Sequence, residues 1–304
     1  MSLSEFEVES WIEKFRLHSP KTRLIRLSRE VCEYLLEDNL IVRSGEADND
    51  VSSDSDTDGS EDESAGALSA KTIDSFPELK TEVEEAIQAL GGEVAPKVGS
   101  KSPVDASWAN FTGQTKCKDF SEVLLLMKAS DRVADDVSTR LLLGQPTFLI
   151  LRKWSSLHPS MEFRTFIKQR RVQAICQRDD EQHYQHLEDD APKIEHAIEG
   201  FFNDTMKEKM SGTEYVMDVY VDNASRVWLI DLAPARDTTD ALLFTWAELD
   251  ALAANSRPEF RVLARHKRAP AKSLYYGIPY ELRGERGSEA LAEASKRLAE
   301  RRLG

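Results

Sequence analysis

Apolar and polar residues alternate along Tyr215-Val216-Met217-Asp218-Val219-Tyr220 and again along Val227-Trp228-Leu229-Ile230-Asp231. Both pieces are rich in Val, Ile, Tyr and Trp, and period-two alternation of these types predicts half-buried strands. Between them Val221-Asp222-Asn223-Ala224-Ser225-Arg226 supplies turn residues, so the pair is expected as a β-hairpin. Each strand carries one acid, Asp218 and Asp231, and the alternation sends both to a single face. Two carboxylates on neighbouring strands suit a divalent cation carrying phosphate oxygens. Solvated positions on the open face of a hairpin are the alternative.

Elsewhere the pattern mixes helices and strands. Phe6, Trp11, Ile12, Phe15 and Leu17 stand near helical spacing, Thr22 to Leu27 alternates like a strand, and Ser28 suits the cap of a short helix through Val31, Tyr34, Leu35 and Leu36. Over 73–92, Phe76, Leu79, Val83, Ile87 and Leu90 trace one helical face, with Pro77 in the first turn and Gly91-Gly92 at the end. Val94-Ala95-Pro96-Lys97 follows as a short strand that delivers one lysine, a point charge able to hold phosphate oxygens. Residues 102–108 are expected as an ordered loop, 120–130 and 191–209 as amphipathic helices, and 248–255 as a short helix. Phe148 to Trp154 is a buried strand with a basic, aromatic end, and 162–167 with 172–179 form an antiparallel pair. Lys153, Arg164 and Arg178 are then expected on adjacent strands of one sheet. They either pair with Glu162 and Asp179 or form a basic strip facing the two aspartates across a cleft. No further ligands complete a metal set around His183-x-x-His186, which is taken as a solvated helix start. Helices and antiparallel strands with little βαβ alternation give the class α+β.

Charge changes this picture in one place. The net charge over 304 residues is −14, which excludes duplex nucleic acid or an anionic membrane as the main partner. Nine of the acids lie in 46–63 without a single base, leaving about −5 for the rest. Residues 46–66 hold almost nothing apolar and are expected to be disordered. Ser53, Ser55, Thr57 and Ser60, each close to acids, suit an acid-directed kinase; an insert that only solubilises is the alternative. There is no apolar run of membrane-spanning length, and Cys32, Cys117 and Cys176 are too scattered for a disulfide framework. A cytoplasmic, monomeric protein in a reducing compartment is expected. Near the end, Tyr275, Tyr276, Ile278 and Tyr280 suggest a segment packing back on the body. The charged stretch 289–303 suggests a helix that packs, binds a partner or frays.

Several motifs in order carry a likeness. Phe76-Pro77, Gly91-Gly92, Pro96-Lys97, Leu151-Arg152-Lys153-Trp154, Glu162-Phe163-Arg164-x-Phe166, Gln177-Arg178-Asp179, Asp218-Val219-Tyr220, Trp228-Leu229-Ile230-Asp231 and Thr239-Asp240-x-Leu242-Leu243-Phe244-Thr245-Trp246 resemble the cell division cycle protein 123 family. The likeness runs over about 5–250, acidic insert included. It implies an ATP-grasp-like fold, two lobes gripping ATP and Mg2+. It also implies a chaperone role: binding the gamma subunit of eukaryotic translation initiation factor 2 so that the heterotrimer assembles. By resemblance Lys97 would hold phosphates, Leu151, Arg152, Lys153 and Trp154 would form the hinge beside the adenine, Arg164 and Arg178 would add phosphate contacts, and Asp218 and Asp231 would hold magnesium. Two positions depart from the family. Ile230-Asp231-Leu232-Ala233-Pro234 carries Ala233 where the family has a metal-site asparagine, so weaker or single magnesium occupancy is expected. Gly99-Ser100 replaces a bulkier polar and aromatic pair, which is expected to loosen the cover over the nucleotide.

The organisation that follows is 1–45 as the start of the first lobe, 46–68 as the acidic insert, 69–150 as the rest of that lobe, 151–254 as the second lobe with the nucleotide site, and 255–304 as an extension. An ATP-grasp carboxylate–amine ligase and a nucleotide-free scaffold are the alternative functions.

Overall fold

The computed structural model describes residues 3–37, 75–110, 112–253 and 257–265. The acidic insert with its Ser53, Ser55, Thr57 and Ser60, and the segments expected at 275–280 and 289–303, lie outside the described residues.

Among the described residues eight strands form two sheets. β1 (Thr22–Arg26), β2 (Val94–Val98) and β3 (Phe148–Lys153) make a three-stranded antiparallel sheet in the order β1-β3-β2. β4 (Glu162–Lys168), β5 (Arg171–Gln177), β6 (Tyr215–Val221), β7 (Val227–Pro234) and β8 (Glu259–Arg261) make a five-stranded sheet in the order β7-β6-β4-β5-β8, antiparallel except for β8 on β5. The helices are α1 (Val8–Trp11), α2 (Arg29–Leu36), α3 (Pro77–Leu90), α4 (Phe120–Lys128), α5 (Asp131–Leu142), α6 (His186–Phe201) and α7 (Trp246–Ala251). This is the two-lobed α+β arrangement expected from the sequence.

Local signals set most boundaries. The Ser28 hydroxyl accepts from Val31 N at 3.2 Å, the Asp119 carboxylate accepts from Glu122 N at 2.9 Å, and Gly91, at φ 100°, ends α3 in the left-handed region. Two elements are not announced by periodicity. α5 offers only Val133, Val137 and Leu141 to its lobe, and its fourth inward position is the buried Arg140. β8 is three residues long, two of them charged.

The strand parity of the small sheet decides what each lobe receives. Leu149, Leu151, Val94 and Val98 pack into the core covered by α2, α3, α4 and α5. Their neighbours Ala95, Lys97, Ile150 and Arg152 fall on the opposite face by alternation, and there Ile150 joins the core of the large sheet while Ala95, Lys97 and Arg152 line the space between the lobes. Residues near the chain start differ from expectation. Phe6, Val8, Trp11, Ile12 and Phe15 lie in the core of the large sheet with Tyr215, Met217 and Leu229, and not with the helices of the first lobe. Five apolar side chains there, each contributing about 1.5–3 kcal/mol when fully buried, outweigh any local preference.

Arg140 ties this N-terminal segment to α5, reaching Glu7, Glu9 at 3.4 Å and Asp136 at 2.7 Å. Gly99 stands against the same cluster at φ 54°, where a Cβ would overlap the Asp136 and Arg140 side chains. Gly99 therefore does not loosen the end of β2. It allows a close approach that a larger residue would block.

Candidate functional site

A cleft of about 620 Å³ opens between the two sheets, lined among others by Lys97, Arg152, Trp154, Glu162, Arg178 and Asp231. That is within the usual size of small-molecule sites. A groove of about 760 Å³ beside α6 is larger, but its buried charge, Glu195, is already held by Arg257 at 2.7 Å.

A bulge builds the acidic side. β6 and β7 pair Asp218 with Asp231 and then Val219 with Leu229, so Ile230 is an extra residue in β7. Leu229 and Leu232 both reach the core, while Asp231 stands on the cleft wall and the Ile230 carbonyl faces the other lobe. The turn of this hairpin forms as expected, with the Asp222 carboxylate accepting from Ala224 N and Arg226 N at 2.9 Å.

Among the described residues two hydrogen bonds cross between the sheets. Lys97 Nζ donates to Asp231 Oδ2 at 2.6 Å, and Arg152 Nη1 donates to the Ile230 carbonyl at 2.6 Å. Burial pushes the Lys97 ammonium below its ordinary range, and Asp231 opposes that shift without cancelling it. Burial likewise lowers Arg152, again opposed by Asp231.

The remaining cations are placed differently from expectation. Lys153 belongs to the small sheet and Arg164 to the large one, and Arg178 directly follows β5, its N–H bonded to the Glu162 carbonyl at 2.9 Å. The three do not form one strip. Arg164 holds Asp218 with both Nε (2.8 Å) and Nη2 (2.7 Å), and Arg178 Nε reaches the same carboxylate at 3.2 Å. These arginines share a sheet face with Asp218 and pair with it directly, because Arg164 and Asp218 are register partners on β4 and β6. Burial opposes ionisation of Asp218, and the two guanidinium groups overcome it, so the carboxyl sits below its ordinary range. Arg178 is raised, above all by Asp218. The 239–246 motif supports this arrangement: the Asp240 carbonyl accepts from Arg164 Nη1 at 2.5 Å, and Trp246 Nε1 donates to the Thr239 carbonyl at 2.9 Å.

Of the four residues expected at the hinge, Leu151 turns its side chain into the helix-covered core. Arg152 points into the cleft, stacked 5.6 Å from the Trp11 ring. Lys153 is exposed with its ammonium beside Gly91, at the end of α3. Trp154 begins the crossover between sheets, its N–H bonded to the Glu93 carbonyl at 2.9 Å. Sequence reasoning passed over Glu162 as a site residue. It lines the cleft beside Arg178 (3.5 Å), and burial raises its carboxyl above the ordinary range. Its presence in the Glu162-Phe163-Arg164 motif was the available signal.

Among the described residues no three or more His, Cys, Asp or Glu side chains are placed to hold a metal ion. A magnesium ion carried by a nucleotide needs only one or two carboxylates, since phosphate and water oxygens complete its shell. Asp231 fits that need, with 27% of its side chain exposed and one cationic partner. Asp218 fits it less well, being buried and shared by two arginines. Ala233 lies two residues beyond Asp231 and packs against the cluster of Phe166, Val216 and Phe244.

The sequence pattern of the family described as D123 matches residues 11–283. The "Translation initiation factor eIF2 assembly protein" of Danio rerio is 38% identical over 265 residues, 82% of this chain and 76% of that protein. The protein of the same description in Schizosaccharomyces pombe is 32% identical, covering 96% and 93%. The solved structure of Cdc123 from Schizosaccharomyces pombe superposes with a TM-score of 0.70 at 31% identity, covering 86% of this chain and 97% of that one.

Proposed function

The chain belongs to the D123 family, and from that premise we propose that it is an ATP-binding factor that promotes assembly of eukaryotic translation initiation factor 2 by binding its gamma subunit. The eIF2 assembly proteins it resembles support the role in assembly. One observation carries the nucleotide part: the cleft is lined by four cations, Lys97, Arg152, Lys153 and Arg178, two of them (Lys97 and Arg152) buried, against two carboxylates, Glu162 and Asp231. That leaves an excess of positive charge in a low-dielectric site, which phosphate oxygens neutralise.

Lys97 and Arg178 would bind phosphates from the two sheets, and Asp231 would hold Mg2+. The ion, when bound, supplies charge neutralisation between phosphate oxygens and the carboxylate. Lys97 must then leave Asp231, so binding exchanges one cross-cleft bond for contacts through the ligand. Hydrolysis is not required: a ligand that grips both lobes stabilises the closed form by mass action alone.

The test is capture of the gamma subunit by the purified protein, with ATP and magnesium or with a chelator. Capture that strengthens with ATP and magnesium is expected. Equal capture in both conditions makes the protein a nucleotide-independent scaffold, and no capture in either removes the partner.

A further inference from the structure

Arg152 is a buried cleft cation whose bonding is incomplete. It is 7% exposed, and among the described residues its Nε and Nη2 are buried without a hydrogen-bond partner. Only Nη1 is used, on the Ile230 carbonyl at 2.6 Å. A buried guanidinium with two idle donors is costly unless an acceptor meets them.

Its position says which acceptor. Ala95 is the register partner of Arg152 on β2, and Lys97 stands two residues along on the same face. Ala95, Lys97 and Arg152 all line the cleft. Two cations at diagonal positions of one sheet face repel, and both act on the same carboxylate, Asp231. The group that satisfies both is an oxyanion with more than one acceptor oxygen, placed between the Arg152 fork and the Lys97 ammonium. An adenine ring offers no negative charge there. The Trp11 ring behind the guanidinium holds the fork in place without using its donors.

We propose that Arg152 binds phosphoryl oxygens of the nucleotide through Nε and Nη2 and is not part of the adenine hinge. This rests on the nucleotide reading of the cleft but is separable from it, because an inorganic polyphosphate probes the same donors without a base. Arg152 thus joins Lys97 and Arg178 in distinguishing a nucleotide polyphosphate from a nucleoside.

Calorimetric titration of tripolyphosphate, ATP and adenosine into the wild-type protein, Arg152→Gln, Arg152→Lys and the exposed control Arg23→Gln tests the assignment. Arg152→Gln is expected to weaken tripolyphosphate and ATP by about ten- to a hundredfold and to leave adenosine unchanged. Arg152→Lys keeps the charge but not the fork, and is expected to recover part of the loss. Arg23→Gln is expected to match the wild type. A thermal melt accompanies each variant, and if Arg152→Gln does not fold, Arg152→Lys carries the comparison. Equal weakening of ATP and adenosine by Arg152→Gln overturns the proposal, as does an unchanged affinity for tripolyphosphate. Wild-type protein that binds tripolyphosphate but not ATP removes the nucleotide reading and leaves Arg152 to be judged on the polyphosphate alone. Binding of neither overturns both.

Discussion

Asp231→Asn removes the carboxylate that pairs with Lys97 across the cleft, and its effects on folding and on ligand binding have opposite signs. Lys97 Nζ stands 2.6 Å from Asp231 Oδ2, with 7% of the lysine side chain and 27% of the aspartate exposed. Losing a charged hydrogen bond in such a place costs about 1.5–3 kcal/mol. Water reaches the aspartate side, and Lys97 is already held below the ordinary ammonium range, so the lower half of that span applies. For a chain of this size the melting temperature falls by about 2–4 °C per kcal/mol, giving a drop of about 3–9 °C in the ligand-free protein. ATP without metal behaves the other way. A unit charge at 4 Å acts with about 4 kcal/mol at an effective dielectric of 20, and even a third of that, about 1.4 kcal/mol, is tenfold in affinity. The variant is therefore expected to bind metal-free ATP about tenfold more tightly than the wild type, and to gain little from magnesium. Thermal melts without ligand, and calorimetric titrations of ATP in chelator and in magnesium, read both effects. Metal-free affinity that is unchanged or weaker in Asp231→Asn would refute the reasoning, because Asp231 would then not compete with phosphate for Lys97.

Asp218→Asn is expected to destabilise the protein by about 3–5 kcal/mol in urea unfolding, since it leaves Arg164 and Arg178 facing each other beside a neutral amide. The Asp218 carboxyl lies below its ordinary range in the fold, so its stabilisation is present above the unfolded value near pH 4 and fades as pH falls through the folded one; a gap between wild type and variant that stays constant down to pH 2 counts against the pairing. Glu162 has the opposite sign: burial raises its carboxyl, so its contribution is full below the unfolded value and is lost as pH rises through the folded one. Glu162→Gln should match the wild type near pH 4 and exceed it at pH 7 by less than about 1 kcal/mol, and a variant less stable at pH 7 than at pH 4, relative to wild type, would show that Arg178 depends on Glu162. Ala233→Asn is expected to tighten magnesium-dependent ATP binding by up to about tenfold while costing about 1 kcal/mol of stability beside Phe166 and Phe244; unchanged affinity puts position 233 outside the site.

Most of the fold was legible because local rules coincide with tertiary ones there. Ser28 and Asp119 cap the helices their spacing predicted, Gly91 ends α3, and the 215–234 hairpin turns where Asp222 and its neighbours require. The misses have particular causes. α5 replaces a fourth apolar position with Arg140, which is buried only because Glu7, Glu9 and Asp136 converge on it from two segments. By pattern alone that arginine belongs on the surface. The first fifteen residues show helical spacing, yet which sheet they cover is a long-range fact, decided by contacts with Tyr215, Met217 and Leu229.

Of the residues singled out in the sequence, Lys97, Arg152, Lys153, Trp154, Arg178 and Asp231 line the cleft, while Leu151, Arg164 and Asp218 do not, and the pairs they form were not legible. Parity along β2 and β3 is enough to send Lys97 and Arg152 to one face and Leu151 to the other, and simple alternation along each strand implies as much. The bulge at Ile230 has no such signal, because nothing in Trp228-Leu229-Ile230-Asp231 marks the extra residue. Without the bulge, Asp231 would share the parity of Leu229 and point into the core, so the single face expected for Asp218 and Asp231 is reached through the bulge and not through alternation. With it, the carboxylate meets a lysine 134 residues away. The same reasoning separates the two aspartates that the sequence treated as equivalent. Asp218 neutralises arginines of its own sheet and holds that sheet's charged face together. Asp231, unlike Asp218, makes an ion pair with Lys97 across the cleft. A ligand that displaces it changes the contact between lobes, whereas one that displaces Asp218 must first separate two arginines from a buried carboxylate. Asp231 is therefore the acid through which ligand binding would alter the lobe contact.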